Sequence, residues 1–517
     1  MGDGPVLALY DVKGKQEFIF RTDKIKEIIG GSLIIRDVFY DYLDKVAKEY
    51  NPAVKKGIFG LDRQTGVKED FSLANWVEQL NDGYIGEVVY EGGGELYVIY
   101  ESDDICNEIN KRFTKMILEE IGSLKVLCSY VSDLNFDDYK EDKRRLKDIH
   151  RQREKEISLM RPVNALPFIQ LDNNTSQPIV QTGIKNINGA NIPDRATQEQ
   201  YAKLKKYDEI VNDPQFKKEY GELILDKLVE EKGEDSILAV VYIDGNRIGE
   251  FFDNALDDAD DGYEECIKEQ RRVSEDIQKN YIDRPRKAIE DMLREKNNKG
   301  RKDHRLIVFA GDEMSFVCKG RDALDAVKAY LDALRKNEDG SDALERSSCA
   351  GIALFHSHAP YAEAYKIARD CCENGKKWMK ENHDEDTCYL DFQYCQGGLG
   401  MTLDVMRHNE VGELISKPWL MAGTSNNPDM TTIEEVNKVV EGFRKMGSRT
   451  NIKGFVFSAK ESLPSFDMDM KRAYAHMDKE LIADPDIKFI FANDTFKGEK
   501  RRRLVYDIGI MYDQWFR

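Results

Sequence analysis

The sequence lacks the cysteine patterns that cross-link small domains or hold structural zinc. Its nine cysteines are an odd number, scattered along 517 residues, and none of them forms a CxxC pair. Disulfide frameworks and structural zinc sites both need cysteines paired at short spacing. We therefore expect reduced thiols that pack in the core.

Histidines and long apolar runs are also scarce. The seven histidines are dispersed along the chain, so they do not supply the clustered ligands of a histidine-aspartate phosphohydrolase. No stretch approaches the roughly 18 apolar residues that cross a bilayer, and no basic segment precedes the short apolar run near the N-terminus. The sequence predicts a cytoplasmic protein without a membrane partner.

Positive charge is in deficit. Lysine and arginine total 77 against 96 aspartates and glutamates, which gives a net charge of −19. Because affinity for polyanions comes from cations that neutralise phosphates, this balance disfavours non-specific nucleic-acid binding. Any nucleic-acid contact is expected to be local.

What is present is a repeated order of strand-like and helix-like segments. A strand, a helical stretch, a glycine-turn hairpin, a helix and a strand occur from the N-terminus and again from Ser236. We interpret these as two copies of one unit, beginning at Asp11 and Asp244. The prediction is an α+β protein with a first domain, a polar connector, a second domain and a small helical C-terminal domain, at residues 1–136, 137–235, 236–392 and 393–517.

Carboxylates end two strand-like segments of the second copy. Asp244 closes the β-branched run in VVYIDG, and Asp312 and Glu313 occupy the tight turn of the hairpin in AGDEM. Pairing of these strands would bring Asp244 and Asp312 within a few ångströms of each other. Hard oxygen ligands suit Mg²⁺ or Mn²⁺ rather than Zn²⁺.

Two such ions activate a 3′-hydroxyl and stabilise the pyrophosphate leaving group, so the pattern predicts a palm-type nucleotidyl transferase acting on nucleoside triphosphates. The predicted metal ligands are Asp244, Asp312, Glu313 and the neighbouring Ile243. Turn glycines that expose backbone amides beside the strand ends suit a triphosphate. The predicted nucleotide-binding residues of this copy are Gly245, Asn246, Gly249 and Gly311.

The segments DVKGKQEFIF, IIGGSLIIRDVF and YEGGGELYVIY in the first copy, and YIDGNRIGEFF, FAGDEMSF and CAGIALFHSHAPYAEAYKIARDCCENGKK in the second, resemble a known family. They are similar to the large, polymerase-like subunit of type III CRISPR effector complexes. The resemblance implies two ferredoxin-like palm domains related to GGDEF nucleotide cyclases. It also implies synthesis of 3′–5′-linked, often cyclic, oligoadenylate second messengers from ATP, with guide RNA and other type III subunits as partners.

Carried over by motif, the resemblance makes Asp244, Asp312 and Glu313 ligands of two metal ions and Lys376 a phosphate contact. It gives the first palm the pocket of the acceptor nucleotide. The candidates for that pocket are Gly30, Gly31, Ser32, Gly92, Gly93, Gly94 and Glu95.

Three features depart from the family pattern. The usual GGDD reads AGDE at Ala310–Glu313, which leaves the product open. The first palm starts at the N-terminus, so we expect no HD nuclease domain and no DNA cleavage by that route. The cysteine pairs that bind zinc between the palms are absent from residues 161–180.

Two alternatives stay open from the sequence. One is a stand-alone cyclic dinucleotide synthase of the diguanylate-cyclase kind, which would act without guide RNA and could form a homo-oligomer. The other is a non-catalytic scaffold subunit that binds guide RNA and proteins.

Overall fold

The computed structural model divides the chain into two compact units. Unit 1 comprises Met1–Glu219, Arg247–Lys279 and Ala310–Asp312, and unit 2 comprises Tyr220–Asn246, Asn280–Phe309 and Glu313–Arg517. The residues described are 4–50, 56–61, 71–157, 169–173, 175–181, 195–211, 228–229, 236–296, 304–310, 312–395, 400–410, 412, 414–492, 496 and 498–516. Within these ranges no helix is both long enough and apolar enough to span a bilayer.

Unit 1 is built on a five-stranded sheet. Its strands are β1 (Val6–Lys13), β2 (Ile58–Phe59), β3 (Gly86–Gly92), β4 (Glu95–Tyr100) and β5 (Lys125–Val131), in the order β2-β3-β4-β1-β5. A separate ribbon pairs β6 (Ile179–Gln181) with β7 (Arg195–Thr197). The helices are α1 (Lys15–Ile19), α2 (Ile25–Val38), α3 (Asp44–Tyr50), α4 (Leu73–Asn81), α5 (Asp103–Glu120), α6 (Tyr139–Ile157), α7 (Gln198–Val211), α8 (Ile248–Asp257) and α9 (Tyr263–Ile277).

Unit 2 is built on a six-stranded sheet. Its strands are β8 (Ile237–Gly245), β9 (His304–Ala310), β10 (Glu313–Lys319), β11 (Ser348–His356), β12 (Cys388–Tyr394) and β13 (Trp419–Ala422), in the order β13-β12-β11-β8-β10-β9. The helices are α10 (Arg284–Lys296), α11 (Ala323–Leu334), α12 (Tyr361–Glu381), α13 (Leu403–Glu410), α14 (Ile433–Met446), α15 (Arg449–Glu461), α16 (Leu463–Ala475), α17 (Lys479–Ala483), α18 (Pro485–Ala492) and α19 (Gly498–Met511).

Apolar side chains cover both faces of the first sheet. Along β1, Val6 and Ala8 pack in one cluster with residues of α2 and α5, and Leu7 and Leu9 pack in another with residues of α4, α6 and α9. A strand covered on both faces is a continuous apolar run rather than an alternating one. The N-terminal apolar segment is therefore a central strand.

Helix α9 belongs to the second of these clusters. Tyr263 and Cys266 are almost fully buried in it, and the Arg271 guanidinium donates to the carbonyl oxygen of Val88 at 2.7 Å. In the chain, α9 follows β8 and falls within the predicted domain 236–392. In space it packs in the unit built on the first sheet, so the compact units cross the boundaries expected from the sequence.

The two sheets share one arrangement of strands. β1 lies between β4 and β5, and β8 lies between β10 and β11, with antiparallel pairing on each side. Asp11 pairs with Glu95 across β1 and β4, as Asp244 pairs with Glu313 across β8 and β10. The helix that follows β5 or β11, α6 or α12, packs on that strand and on the central strand beside it. The strands around β1 and around β8 therefore have the same pairing.

Helix α12 approaches its sheet closely because two positions lack side chains. A β-carbon at Gly351 of β11 would overlap the carbonyl oxygen of Ala368 and lie 2.6 Å from the amide nitrogen of Cys372. A β-carbon at Gly375, on the helix, would lie 3.2 Å from that of Tyr389. Glycine at such positions permits close backbone approach. The close packing of α12 on β11 determines the positions of the residues near its C-terminal end, including Lys376.

Residues 393–517, predicted to be helical, contain α13 to α19 and also the strand β13, which pairs with β12. Helix α14 begins with a capping box formed by Thr432 and Glu435, which satisfies backbone donors at the helix start. The last segment is helical over Gly498–Met511.

All nine cysteines are unpaired and lie in buried or half-buried positions. Burial raises the pKa of Cys318, Cys371 and Cys372 well above the usual thiol range. Because the thiolate is the reactive form, these positions are chemically inert. They act as core residues.

Helix α6 buries a lysine whose replacement should stabilise the protein. Lys143 is 8% exposed, and burial lowers its pKa to about 8. Since the unfolded chain binds the proton more tightly, unfolding is favoured below pH 8, and the penalty fades as pH rises from 8 towards 10.5. We expect Lys143→Met to raise the free energy of unfolding by roughly 2 kcal/mol at pH 7, measured by urea denaturation.

The gain should shrink when the same titrations are run at pH 10. The matched control is Lys147→Met, one turn along α6, where the side chain is 40% exposed. We expect it to change stability by less than about 0.5 kcal/mol. A Lys143→Met variant less stable than the parent at pH 7 would contradict the burial argument.

Candidate active site

The central feature of the second sheet is a pair of facing carboxylates. Asp244, near the end of β8, is the register partner of Glu313, the first residue of β10. Directly opposed residues on antiparallel strands have β-carbons about 5 Å apart, and like charges there destabilise the pair. A counter-charge is therefore needed at this point.

Lys376 of α12 supplies the counter-charge. Its Nζ lies 2.7 Å from Oδ2 of Asp244 and donates to the carbonyl oxygen of Gly245 at 2.8 Å. Burial would lower the pKa of Lys376, but the adjacent Asp244 carboxylate outweighs it and raises the pKa above its ordinary value. The ammonium is therefore charged throughout the neutral range. Its ion pair contributes stability below the ordinary lysine pKa, and this is lost only as pH rises through the raised value.

Glu313 is held by a tyrosine from the same helix. The Tyr365 hydroxyl donates to Oε1 of Glu313 at 3.1 Å, and its ring packs edge-on against Tyr242 with centroids 5.6 Å apart. Burial, with the charge of Glu313, raises the pKa of Tyr365 well above its usual range. Tyr365 is therefore a neutral donor that positions the Glu313 carboxylate. No local sequence pattern distinguishes this tyrosine as a site residue.

The remaining predicted metal ligands occupy different positions. Asp312 is half-buried in the turn that leads into β10, and Glu313 rather than Asp312 is the residue opposite Asp244. Ile243 is fully buried and precedes Asp244 on the strand, so its side chain points to the other face of the sheet. Only its carbonyl oxygen is a possible ligand. Gly311 lies outside the described residues.

The predicted nucleotide-binding residues after β8 differ in role. Asn246 is buried, and its side-chain amide donates to the carbonyl oxygen of Thr387 at 3.0 Å, so it anchors the end of the strand. Arg247 adopts a left-handed backbone at φ 58° and begins α8. Gly249, in α8, has nothing within 4 Å of the position a β-carbon would take.

The predicted acceptor pocket in unit 1 divides into two kinds of glycine. A β-carbon at Gly30 would overlap the carbonyl oxygen of Lys203, and one at Gly31 would lie 3.1 Å from the Lys203 side chain. These two glycines allow α7 to pack closely on α2, and Ser32 follows them on α2. The hairpin glycines Gly92 to Gly94 lie at the β3–β4 turn, where Gly93 and Gly94 have φ of 60° and 82°. Lys15 donates to the Gly93 carbonyl oxygen there.

In unit 1 the position corresponding to Asp244 is closed by protein side chains. Asp11 lies 2.6 Å from Nζ of Lys13 and 3.2 Å from Nε2 of His150, whose Nδ1 lies 3.1 Å from Oγ of Ser129. Burial alone would raise the pKa of Asp11, but the contacts from His150 and Lys13 lower it. His150 follows Tyr139 on α6 at the spacing by which Lys376 follows Tyr365 on α12.

The carboxylates of unit 2 fit a hard divalent cation. Within the described ranges no group of three histidine, cysteine, aspartate or glutamate side chains is close enough to enclose a metal ion. Mg²⁺ does not require such a cage, because one or two carboxylates and substrate phosphates commonly complete its octahedron. Asp244 and Glu313 provide that donor set.

The Lys376–Asp244 pair can be tested by a double-mutant cycle. Lys376→Met should destabilise unit 2 by about 1–3 kcal/mol, since it leaves a largely buried carboxylate without its cation. The double variant Asp244→Asn/Lys376→Met should lose less free energy of unfolding than the sum of the two single variants. In the double variant both charges are removed, so no charge is left unpaired. Urea denaturation of all four proteins measures the coupling. If the two single losses of unfolding free energy add up to that of the double variant, Lys376 and Asp244 do not stabilise each other.

Neither a family model nor a curated protein sequence matches this chain. Solved structures do. A Csm1–Csm4 cassette in complex with pppApApA matches with a TM-score of 0.52 and 15% identity, covering 98% of this chain and 69% of that chain. The cassette in complex with pppApA matches with a TM-score of 0.50 and 15% identity over the same shares.

The chain has the fold of Csm1, the large subunit in these cassettes. A further match, with a TM-score of 0.44, 14% identity and coverage of 98% of this chain and 70% of that chain, is the Csm1–Csm4 subcomplex of the type III-A CRISPR–Csm interference complex. The resemblance to the type III large subunit is confirmed at the level of the Csm1 fold. Identities of this size establish the shared fold alone.

Proposed function

We propose that this chain is a divalent-metal-dependent nucleotidyl transferase that joins ATP into 3′–5′-linked oligoadenylates, linear or cyclic, in type III CRISPR defence. The observation that carries the proposal is the Asp244–Glu313 pair, set at facing strand ends with a lysine poised on it. The shared Csm1 fold supports it, since the matched cassettes hold pppApA and pppApApA.

The proposed roles follow from the contacts. Asp244 and Glu313, with Asp312 beside them in the chain, would hold Mg²⁺ or Mn²⁺, which when bound supply Lewis acidity at the reacting phosphate. Lys376, already within 2.7 Å of Asp244, would neutralise triphosphate charge as a point charge. Tyr365 keeps Glu313 in place. The first palm, proposed at residues 1–136, would present the acceptor nucleotide through its glycine hairpin.

Partners are part of the proposal. The matched structures pair Csm1 with Csm4, and we propose a type III subunit and guide RNA as the partners of this chain. Co-purification tests this. Recovery of a guide RNA with smaller subunits would support the assignment, whereas recovery of a lone oligomer would favour a stand-alone synthase.

The activity test is incubation of the purified protein, alone and with its co-purifying partners, with Mg²⁺ or Mn²⁺ and each labelled nucleoside triphosphate. We expect oligomeric products from ATP and release of pyrophosphate. Turnover of GTP alone would contradict the adenylate proposal and favour a diguanylate-type cyclase. The AGDE motif is similar to the GGDEF motif of those enzymes. If no triphosphate gives a product with metal and partners present, the chain is better explained as a non-catalytic scaffold subunit.

A further inference from the structure

Unit 2 contains a cavity that the proposed chemistry does not use. Its volume is about 400 Å³, and it lies among the end of α12, the segment before β13 and the first turn and a half of α19. Cavities of roughly 300–1,000 Å³ accept small organic ligands. The walls combine apolar and cationic groups, of which the most informative are Trp378, Ile415, Lys417, Met430, Lys500 and Arg503.

Three cationic side chains line the cavity. Lys417 is fixed by the carbonyl oxygen of Phe392 at 2.8 Å, and Lys500 is fixed by Glu435 at 2.9 Å. Arg503 adds a third cation to the lining. Guanidinium groups bind phosphate through paired N–H donors, so this lining favours a ligand that carries phosphate.

The lining also suits a flat ring. The half-buried Trp378 lines the cavity beside Ile415 and Met430, and no aromatic ring in the described ranges packs on its indole. Stacking of a nucleobase on an aromatic side chain is worth about 1–3 kcal/mol. At the rim, the exposed Asp429 presents a carboxylate that could accept from ribose hydroxyls.

We propose that this cavity binds a nucleoside phosphate, with the base on Trp378 and the phosphate on Arg503, Lys417 and Lys500. The acidic lining residue Glu499 is paired with Arg502 at 3.0 Å, Lys500 with Glu435 at 2.9 Å and Lys417 with Asp507 at 3.6 Å. Arg503 is therefore the main contact for the phosphate. The cavity is separate from the acid pair. Lys376 and Trp378 share α12, but Lys376 contacts Asp244 whereas Trp378 lines the cavity. The inference therefore goes beyond the proposed synthesis and does not depend on it.

The test is equilibrium dialysis of labelled ADP against the full-length protein in chelator, where metal-dependent binding at the acid pair is suppressed. We expect Arg503→Gln to weaken ADP binding at least about ten-fold. Lys377→Gln, an exposed neighbour of Trp378 on the same helix, should leave it unchanged. Adenosine and pyrophosphate, each lacking half of the ligand, should bind at least about ten-fold more weakly than ADP.

Fluorescence locates the ligand. ADP should quench part of the tryptophan emission, and Trp378→Phe should remove that quenching while ADP still binds. Melting temperatures of all variants establish that they are folded. Equal binding by Arg503→Gln and the parent, or loss of binding in Asp244→Asn, would overturn the assignment. Pyrophosphate that binds as tightly as ADP would overturn the nucleoside class. None of these outcomes bears on whether the protein synthesises oligoadenylates.

Discussion

Replacing Asp244 by asparagine is expected to reduce oligoadenylate synthesis by about 1,000-fold or more while the protein stays folded. The amide preserves the shape of the side chain but removes the charge that faces Glu313 across the strands. It also frees Lys376, whose ammonium lies 2.7 Å from the carboxylate. Initial rates of labelled product formation from ATP, at saturating Mn²⁺, measure the effect.

The matched control is Glu373→Gln, an exposed acid on the same helix as Lys376. It removes one negative charge from the same surface without touching the pair, so its rate should stay within about two-fold of the parent. A melting temperature for each variant separates loss of chemistry from loss of fold. Unchanged synthesis in Asp244→Asn would remove Asp244 from the metal site and with it the proposed mechanism.

Adding a single methyl group at Gly351 should have the largest effect on stability. The new carbon would overlap the carbonyl oxygen of Ala368 and approach the Cys372 amide nitrogen to 2.6 Å. Both are helix backbone atoms and cannot rotate away as a side chain would. We expect Gly351→Ala to cost about 3 kcal/mol or more, because α12 must lift from β11. Urea denaturation measures the cost.

The control for this change is Gly454→Ala in the middle of α15, where a β-carbon would have nothing within 4 Å. Alanine there should be neutral or stabilise by up to about 1 kcal/mol, since glycine is the weaker helix former. The displaced helix in Gly351→Ala also carries Lys376 and Tyr365, so synthesis should fall with stability. A Gly351→Ala protein as stable as the parent would show that α12 does not rest on the strand as described.

The acid pair could be predicted from the sequence only in part. The turn residues around Asp244 and Glu313 indicated two strand ends, and β8 and β10 do pair there. Asp312 was the expected neighbour of Asp244, whereas Glu313 is the residue that faces it. Because side chains alternate between faces along a strand, a shift of one residue in register exchanges the two acids. Register depends on the whole sheet and is not encoded in the turn.

Contacts made by helices were harder to predict for a related reason. An apolar stripe shows that one face of a helix is buried, but it does not identify the element that packs on that face. The family resemblance made Gly30 and Gly31 candidates for the acceptor-nucleotide pocket, and in the structure Lys203 of α7 packs on both. His150 reaches Asp11 across 139 residues of chain, and no local pattern announces a partner at that separation. Tyr365 lies among the buried residues of α12, and helical spacing accounts for that burial without revealing the hydrogen bond to Glu313.

The composition of unit 1 determines how the protein can be divided. That unit draws on three separate stretches of chain, so the polypeptide passes between the units several times. A fragment cut at the expected boundary and starting at residue 236 would carry α9 without the cluster that buries Tyr263 and Cys266. Such a fragment would expose apolar surface and aggregate when expressed alone. Its complement, residues 1–235, would lack the same cover, and the two pieces should become soluble only when produced together.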